Sequence, residues 1–178
     1  DFQAIVDLVG DKLREVFDTQ EIGIRWHDDK TGRIHYLYEY EHGVRLSLPP
    51  MVPDAMGTWR VLRETRAPLV LNTLTEAKAR GIRVVPGTDA SRSMVGVPIL
   101  GGDRILGMII LENYEREHAY SEADVRLLST VGATMGVALE NARLFDEAQQ
   151  RSRETAALAE VGRDISSTLD LATVLDRI

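Results

Sequence analysis

Residues 91–113 read SRSMVGVPILGGDRILGMIILEN, two apolar segments separated by GGDR. Residues 94–100 and 105–111 predict two β-strands, and the glycine pair between them tolerates the positive φ angles of a tight connection. Gly96 and Gly107 stand inside the two strands, where a glycine permits another part of the structure to approach the backbone closely. The stretch therefore predicts a β-hairpin against which a helix or a ligand packs.

The sequence before this hairpin predicts a second antiparallel pair. Apolar residues alternate in EIGIRWHDD, residues 21–29, and in RIHYLYEYEHGVRL, residues 33–46, and DDKTG supplies the turn that joins the two strands. A strand has a side-chain period of two, so the second strand is predicted to present two different faces. One face carries Ile34, Tyr36, Tyr38 and Tyr40, and the other carries His35, Leu37, Glu39 and Glu41.

Between the two strand pairs, PLVLN at residues 68–72 predicts a short strand, and TLTEAKARG at residues 73–81 predicts a brief helix. Gly81 suits the left-handed cap that closes such a helix. Residues 82–92 show no sustained hydrophobic period, so we expect a loop there.

Both ends of the chain predict helices with one apolar stripe. Residues 2–17 carry apolar side chains at spacings of three and four, and a second helix is predicted to begin after Ser121. Its heptad-like stripe consists of Leu128, Val131, Met135, Ala138, Ala142 and Phe145. Residues 146–155 contain one apolar residue, Ala148, and the stripe resumes at Leu158, Val161 and Ile165 in a shifted register. This pattern indicates a helical connector.

Composition excludes several classes of function. A chain of 178 residues that is 44% hydrophobic predicts one domain with an appendage. The absence of cysteine excludes disulfides, thiolate metal sites, a cysteine nucleophile and thioether attachment of a chromophore. The net charge of -7 opposes nucleic-acid binding. No apolar run approaches the roughly 20 residues that span a bilayer, so we expect no direct membrane contact and a cytoplasmic location.

Three blocks of sequence, in this order and spacing, resemble the GAF domain, the small-molecule sensor module of signalling proteins. They are GTWRVLRETRAPLVLNTLTE at 57–76, the hairpin sequence at 91–113, and AYSEADVRLLSTVGATMGVALENARLF at 119–145. The resemblance covers residues 1–145, and it implies that residues 146–178 are a helical signalling linker that leads into a further domain. The similarity of DLATVLDRI at 170–178 to DFQAIVDLV at 1–9 favours a tandem array.

The resemblance implies an α+β fold, an α/β sandwich. Its central antiparallel sheet would have five to six strands in the order 2-1-5-4-3, with both terminal helices on one face. On the other face, lid segments that include residues 72–92 would cover a pocket. The hairpin at 91–113 would then lie between the helical layer and the pocket.

No catalytic constellation stands out. His27, His35, His42 and His118 are scattered without the spacing of a metal site, so we expect neither a metal nor a cofactor. Free methionine sulfoxide reductases use the GAF fold, but their chemistry depends on cysteines. We therefore expect a non-catalytic domain.

Known ligand patterns match this sequence only in part. Asn113, Tyr120 and Asp124 can occupy three places of the pattern found in GAF domains that bind cyclic nucleotides. The lysine of that pattern is missing after Asn113, and Val125 replaces its glutamate, so the resemblance does not predict cyclic-nucleotide binding.

Five residues are candidates for contact with a small-molecule ligand. Arg92 offers a planar fork of donors for an anion, although it equally suits a solvated charge at a strand end. Ser93 and Glu112 can orient a ligand through hydrogen bonds. Asn72 also suits the cap of the 73–80 helix, and Trp59 also suits the core.

The predicted function is ligand sensing in a multidomain signal-transduction protein, for example a two-component protein. The ligand state would pass to a downstream output through the C-terminal helix, in a homodimer formed by the helix at 121–165. The alternative is a structural dimerisation module whose interior is filled by its own side chains and holds no ligand.

Overall fold

A computed structural model describes the backbone of residues 2–53 and 57–175 and the side chains of residues 2–53 and 57–163. The chain divides into two compact units, Asp1–Glu140 and Asn141–Ile178. The first unit contains the sheet and both of the hydrophobic clusters described below.

The first unit is built on a six-stranded sheet in which every described pairing is antiparallel. The strands are β1 (Ile22–Asp28), β2 (Arg33–Glu41), β3 (Val44–Arg45), β4 (Leu69–Leu71), β5 (Ser93–Gly101) and β6 (Arg104–Asn113). Their order across the sheet is β3-β2-β1-β6-β5-β4. When the two-residue edge strand β3 is left out and the other five are renumbered, this is the predicted order 2-1-5-4-3.

Within the described backbone, four helices accompany the sheet: α1 (Phe2–Val16), α2 (Thr58–Thr65), α3 (Leu74–Ala79) and α4 (Glu122–Leu175). Val6 and Leu13 of α1 and Leu128 and Met135 of α4 share one hydrophobic cluster with residues of β1, β2, β5 and β6. Both terminal helices therefore pack on one face of the sheet, as predicted, and the α+β fold class is confirmed. We call this face the helical face and the opposite one the pocket face.

The start of α4 follows from a reciprocal cap. The backbone N–H of Ser121 donates to Asp124 Oδ2 at 2.7 Å, and the Asp124 N–H donates to Ser121 Oγ at 3.3 Å. These hydrogen bonds satisfy donors that the first turn of a helix leaves unpaired, and those from Ser121 lower the pKa of Asp124. The predicted helix start is therefore correct.

A second hydrophobic cluster lies on the pocket face, and it joins the sheet to α2 and β4. Trp59 and Leu62 of α2 pack there with Met108 and Ile110 of β6. In β6 the neighbouring residues Ile109 and Leu111 belong to the helical-face cluster, so the period of two separates the two clusters from Met108 to Leu111.

The strand β2 does not keep a single period, which corrects one prediction. Arg25 pairs with Tyr36 and Ile24 pairs with Tyr38, so Leu37 is an extra residue that has no partner in β1. This β-bulge exchanges the faces of the strand at that point. Ile34 and Tyr36 lie on the pocket face, whereas Tyr38 belongs to the helical-face cluster. The prediction that the three tyrosines and Ile34 share one face was therefore wrong.

The interior glycines of the hairpin serve different neighbours. A Cβ at Gly107 would overlap with the backbone carbonyl of Arg25 in the adjacent strand, whereas a Cβ at Gly96 would make ordinary contacts of 3.5 Å with Leu62 and Thr58. The close approach of the helical layer depends instead on α4, because a Cβ at Gly136 would overlap with the carbonyl oxygen of Leu100.

The second unit is helical from residue 141 to residue 175. Among its described side chains, the large exposed apolar ones are Leu144, Phe145, Leu158 and Val161. Among the residues that the structure describes, none of the helices has the length and apolar character that crossing a membrane requires. The two similar nine-residue segments, 1–9 and 170–178, both extend to positions outside the described residues.

Candidate functional site

A cavity of about 310 Å³ lies against the pocket face of the sheet. Its floor comes from β1, β2, β5 and β6, and its walls come from residues 51–53, the start of α2, α3 and the segment at 82–91. The predicted lid segment, residues 72–92, thus supplies a large part of the wall. The volume falls at the lower end of the range that small-molecule sites in proteins occupy, which is roughly 300–1,000 Å³.

Most of the lining is apolar. Methionine is prominent, because Met51, Met94 and Met108 all line the cavity. A methionine side chain is unbranched and polarizable, so such a wall can adapt to ligands of different outline.

A buried ion pair lies at one side of the floor, where Arg25 is the member that lines the cavity. Arg25 of β1 donates from Nε to Glu39 Oε2 at 3.1 Å and from Nη2 to Glu39 Oε1 at 2.5 Å. Arg25 is 6% exposed and Glu39 is 4% exposed. Burial by itself would lower the pKa of Arg25, but the charge and hydrogen bonds of Glu39 outweigh that effect and hold the pKa above its ordinary value. The guanidinium is therefore charged and held in a fixed orientation.

The local backbone makes room for this pair. A Cβ at position 23 would lie 2.8 Å from Glu39 Oε2, so the glycine at this position of β1 leaves space for the carboxylate. The bulge at Leu37 contributes as well, because it puts Glu39 on the same face as Tyr36 and Arg25.

Glu112, near the end of β6, places a second carboxyl group at the cavity. Burial raises its pKa to about 6, although the positive charge of Arg25 acts in the opposite direction. The Ser91 side chain is a hydrogen-bond partner that also favours the charged form. Glu112 is therefore mostly ionised at neutral pH and titrates just below it.

Trp59 contributes an aromatic wall and an unsatisfied donor. Its ring stacks on His27 with centroids 4.7 Å apart, and the residue is 5% exposed. Among the described side chains, Trp59 Nε1 is one of the buried nitrogen atoms that has no hydrogen-bond partner. A buried indole N–H normally finds an acceptor, so this atom indicates a place where an external acceptor would be stabilised.

The structure places the five predicted contact residues differently from one another. Glu112 and Trp59 line the cavity. Ser93 is 2% exposed, and its hydroxyl donates to the carbonyl of Arg116 at 2.8 Å, so it holds the segment that follows β6. Arg92 is exposed and lies outside the cavity lining.

Asn72 also lies outside the lining. Its backbone N–H donates to Glu76 Oε2, and its carbonyl accepts from the N–H of His118. The side chain that caps α3 is Thr73, which accepts from the N–H of Glu76 at 3.1 Å. The reading of Asn72 as the cap of this helix was therefore one residue early.

Sequence reasoning missed Arg25, Tyr36 and Glu39 as residues at or beside the cavity. Arg25 stood in an alternating strand between Ile24 and Trp26, which gave it the appearance of a solvent-facing residue. The alternation in this strand did predict the face of Arg25, which is opposite to the face of the apolar residues. The strand alone did not indicate that other segments of the chain cover that face and bury it.

The family model described as GAF domain matches residues 1–140 of the chain. Solved structures of this fold are similar over most of the first unit and beyond it. The blue-light absorbing form of the PixJ GAF domain of Thermosynechococcus elongatus has a TM-score of 0.66 and 16% identity, over 86% of this chain and 94% of that chain.

Two further similar structures come from proteins that are named for different functions. Residues 122 to 287 of a methyl-accepting chemotaxis protein have a TM-score of 0.68 and 15% identity, over 81% of this chain and 90% of that one. The free methionine-R-sulfoxide reductase of Neisseria meningitidis, in complex with its substrate, has a TM-score of 0.62 and 18% identity, over 81% of both chains. At such identities the similarity shows the fold, and any chemical function has to be argued from this chain's own residues.

Proposed function

The chain belongs to the GAF domain family, the sensor modules of signalling proteins, and on this basis we propose that it senses a small molecule. Residues 1–145 are the proposed sensing domain, and residues 146–178 are the proposed helical linker toward a downstream output. The parent protein would be a multidomain signal-transduction protein, in which a tandem GAF arrangement is part of the proposal.

The observation that carries this proposal is the cavity of about 310 Å³ with charged side chains at its floor. Burying the charges of Arg25, Glu39 and Glu112 costs free energy that an apolar interior would avoid. The alternative, a structural module without a ligand, predicts an interior filled by its own side chains. A walled cavity with a buried unsatisfied donor favours ligand binding over that alternative.

Glu112 and Trp59 are the proposed direct ligand contacts, because both line the cavity. Ser93 is proposed to act indirectly, through the segment that its hydroxyl holds. Arg92 and Asn72 are weaker candidates for ligand contact, because both lie outside the cavity lining.

The proposed domain is non-catalytic. The reductase of the same fold acts on methionine sulfoxide, and the cysteine chemistry expected for such an enzyme has no counterpart in a chain with no cysteine. A ligand would act by shifting a population of conformations, with the lid segment closing over the cavity and the change passing to the helices through the sheet.

Homodimer formation is the second half of the proposal. In the first unit, Leu127 and Val137 of α4 are exposed, and in the second unit Leu144 and Phe145 are exposed. Leu158 lies two heptads after Leu144, which is the spacing of a helix that meets a partner helix. A second copy of this chain would cover these side chains.

Native mass spectrometry of gently purified protein, followed by a thermal-shift screen of metabolites, tests ligand sensing. We expect a bound small molecule or a raised melting temperature with one chemical class. Ala77→Trp would fill the cavity from the α3 wall. We therefore expect this variant to lose binding of the small molecule and to keep a native circular dichroism spectrum. If no compound binds, or if binding persists in folded Ala77→Trp, the cavity is not a sensing site.

A further inference from the structure

The charges at and beside the cavity floor are unbalanced. Arg25 faces the carboxylates of Glu39 and Glu112, and Glu41 adds a third carboxylate close enough to influence Glu112. Glu39 and Glu41 are both buried. One guanidinium therefore stands among three acidic side chains, and this region favours a positive charge over a further negative one.

The Arg25 guanidinium is already committed to Glu39. Two of its nitrogen atoms donate to the two oxygens of that carboxylate, which is the fork-to-fork geometry of a strong pair. Glu41 is also engaged, because its Oε1 accepts from the backbone N–H of Asp89 at 2.6 Å. Among the described residues, Glu112 takes part in no ion pair with nitrogen and oxygen within 4.0 Å.

We propose that the cavity binds a small organic cation, a protonated amine or a guanidinium compound, whose positive group pairs with the carboxylate of Glu112. This inference rests on the proposed function and specifies its ligand class. The cationic group would neutralise negative charge that Arg25 alone does not neutralise. The attraction between the cation and Glu112 would be stronger in the buried site than in water, because the dielectric constant is lower there.

The remaining lining defines the rest of the ligand. Ile34, Met94, Met108 and Ile110 form an apolar surface beside the charged floor. An amine with an aliphatic or aromatic body would bury its apolar atoms against these side chains. The small volume favours compounds of metabolite size.

Trp59 supplies a second, independent indication that the site is built for a ligand. Its Nε1 donor is buried and lacks a partner, although the residue forms part of the cavity wall. A ligand that also carries a hydroxyl or carbonyl oxygen could supply the missing acceptor. Amino alcohols and amino amides therefore fit the lining better than plain alkylamines.

An anionic ligand is the principal competing class. At the floor it would meet the carboxylate of Glu112, with Glu39 beside the cavity, whereas the only cationic group of the floor among the described side chains, Arg25, is already paired. Arg83 also lines the cavity, but it belongs to an exposed part of the wall. An anionic ligand at the floor would therefore be repelled by the carboxylate of Glu112 and, from beside the cavity, by that of Glu39.

Matched probes separate these classes. Calorimetric titrations would use phenethyl and hexyl skeletons, each as the amine, the alcohol and the carboxylate, at concentrations up to the millimolar range. We expect each amine to bind about tenfold or more tightly than its alcohol, because a charge-assisted hydrogen bond is lost in the alcohol. The carboxylates should bind more weakly than the alcohols.

Glu112→Gln keeps the shape of the side chain and removes its charge. Amine affinity should fall about tenfold or more in this variant, with alcohol affinity unchanged. Glu115→Gln is the matched control, since Glu115 is exposed and outside the cavity lining, and it should bind like the wild type.

Each other outcome overturns the inference. Equal binding of all three forms, preference for the carboxylates, no binding of any amine, or amine binding that Glu112→Gln does not weaken would each exclude the cation. Ligand sensing itself would survive such a result if an anionic or neutral metabolite copurified and Ala77→Trp abolished its binding. The two proposals therefore fail under different observations.

Discussion

Arg25 and Glu39 lie on adjacent strands, and their side chains form a bidentate ion pair on the pocket face of the sheet. The pairing exists because Leu37 is bulged, so that Glu39 faces the pocket together with Arg25. A pair that is nearly inaccessible to water is sensitive to the loss of one partner, because the other charge then stays buried without compensation.

Glu39→Ala is therefore expected to lower the free energy of unfolding by about 3–5 kcal/mol. The matched control is Glu64→Ala, which removes an exposed pair between Arg60 and Glu64 and should cost less than about 1 kcal/mol. Urea denaturation of both variants measures the difference. Equal and small losses would show that the buried pair contributes no more than a surface pair.

The raised pKa of Glu112 predicts a pH dependence of stability. Its pKa is about 6 in the folded chain against an ordinary value of 4.5, so protonation favours the folded state. The stabilising contribution is complete below pH 4.5 and is lost as the pH rises through about 6. The shift corresponds to about 2 kcal/mol at neutral pH.

Glu112→Gln removes this titration. The variant should exceed the wild type in the free energy of unfolding by up to about 2 kcal/mol at neutral pH, and the gap should close in acid. Arg25, Glu39 and Glu41 influence the same carboxyl group and are present in both proteins, so the difference between the two denaturation curves isolates Glu112. A gap that does not change with pH would contradict the assigned shift.

Helix packing on the sheet predicts opposite effects for two glycines of α4. Gly136→Ala should destabilise the domain by about 1–3 kcal/mol, because the new methyl group overlaps with the carbonyl oxygen of Leu100. Gly162→Ala meets nothing within 4 Å and should be neutral or gain up to about 1 kcal/mol of helix propensity. Thermal denaturation compares them, and a tolerated Gly136→Ala would exclude close helix packing there.

His42 connects the turn after β2 to the lid segment. Its Nε2 lies 3.1 Å from Asp89 Oδ2, and this hydrogen bond, together with nearby Glu21 and Glu41, raises the pKa of His42. Asp89→Asn should therefore lower the His42 pKa measured by NMR titration, whereas Asp103→Asn, at the exposed β5–β6 turn, should leave it unchanged. An unaltered titration in Asp89→Asn would mean that the contact is not maintained in solution.

The His42 contact also has a predictable direction with pH. Because the pKa is raised in the folded chain, the stabilising effect of the charged imidazole is complete below the ordinary His pKa and is lost as the pH rises through the raised value. We therefore compare the rate of amide hydrogen exchange at residues 88–90 in the wild type with the rate in Asp89→Asn. The ratio of the wild-type rate to the variant rate should rise from mildly acidic to mildly alkaline solution. If the ratio of the two exchange rates, wild type to Asp89→Asn, were the same at both pH values, the pH dependence of the His42–Asp89 contact would be ruled out.

The proposed dimer predicts that charge on the exposed apolar side chains weakens association. Leu144→Glu and Phe145→Glu should convert a dimer to a monomer in light scattering, because ionised carboxylates would be desolvated at a helix pair. Gln150→Glu introduces the same charge at an exposed polar position of the same unit and should keep the dimer. A wild-type chain that is monomeric at all concentrations would remove this part of the proposal.

Much of the fold could be predicted because its signals are local. The apolar runs on either side of GGDR predicted β5 and β6, and Ser121 followed by Asp124 predicted the start of α4. The strand order came from the resemblance to a family, since alternation alone does not tell which strands are neighbours.

The site was harder to predict because it depends on a position where the period fails. Nothing in RIHYLYEYE marks Leu37 as a bulge, since the residue is neither glycine nor a turn former. A uniform alternation therefore put Glu39 opposite Tyr36, whereas the two lie on the same face. Arg25 was missed for the related reason that its partner was expected on another surface. The role of Gly136 was also hidden, because a glycine within a helix has no distinguishing sequence pattern.

The bulge at Leu37 makes the chemistry of the interior depend on strand pairing as well as on composition. If Leu37 took a regular partner in β1, the alternation of β2 would be unbroken and would turn Glu39 and Glu41 toward the helices, while Tyr38 and Tyr40 would turn toward the pocket face. A change of register at one backbone position would thus exchange an acidic surface for an aromatic one without altering a single amino acid.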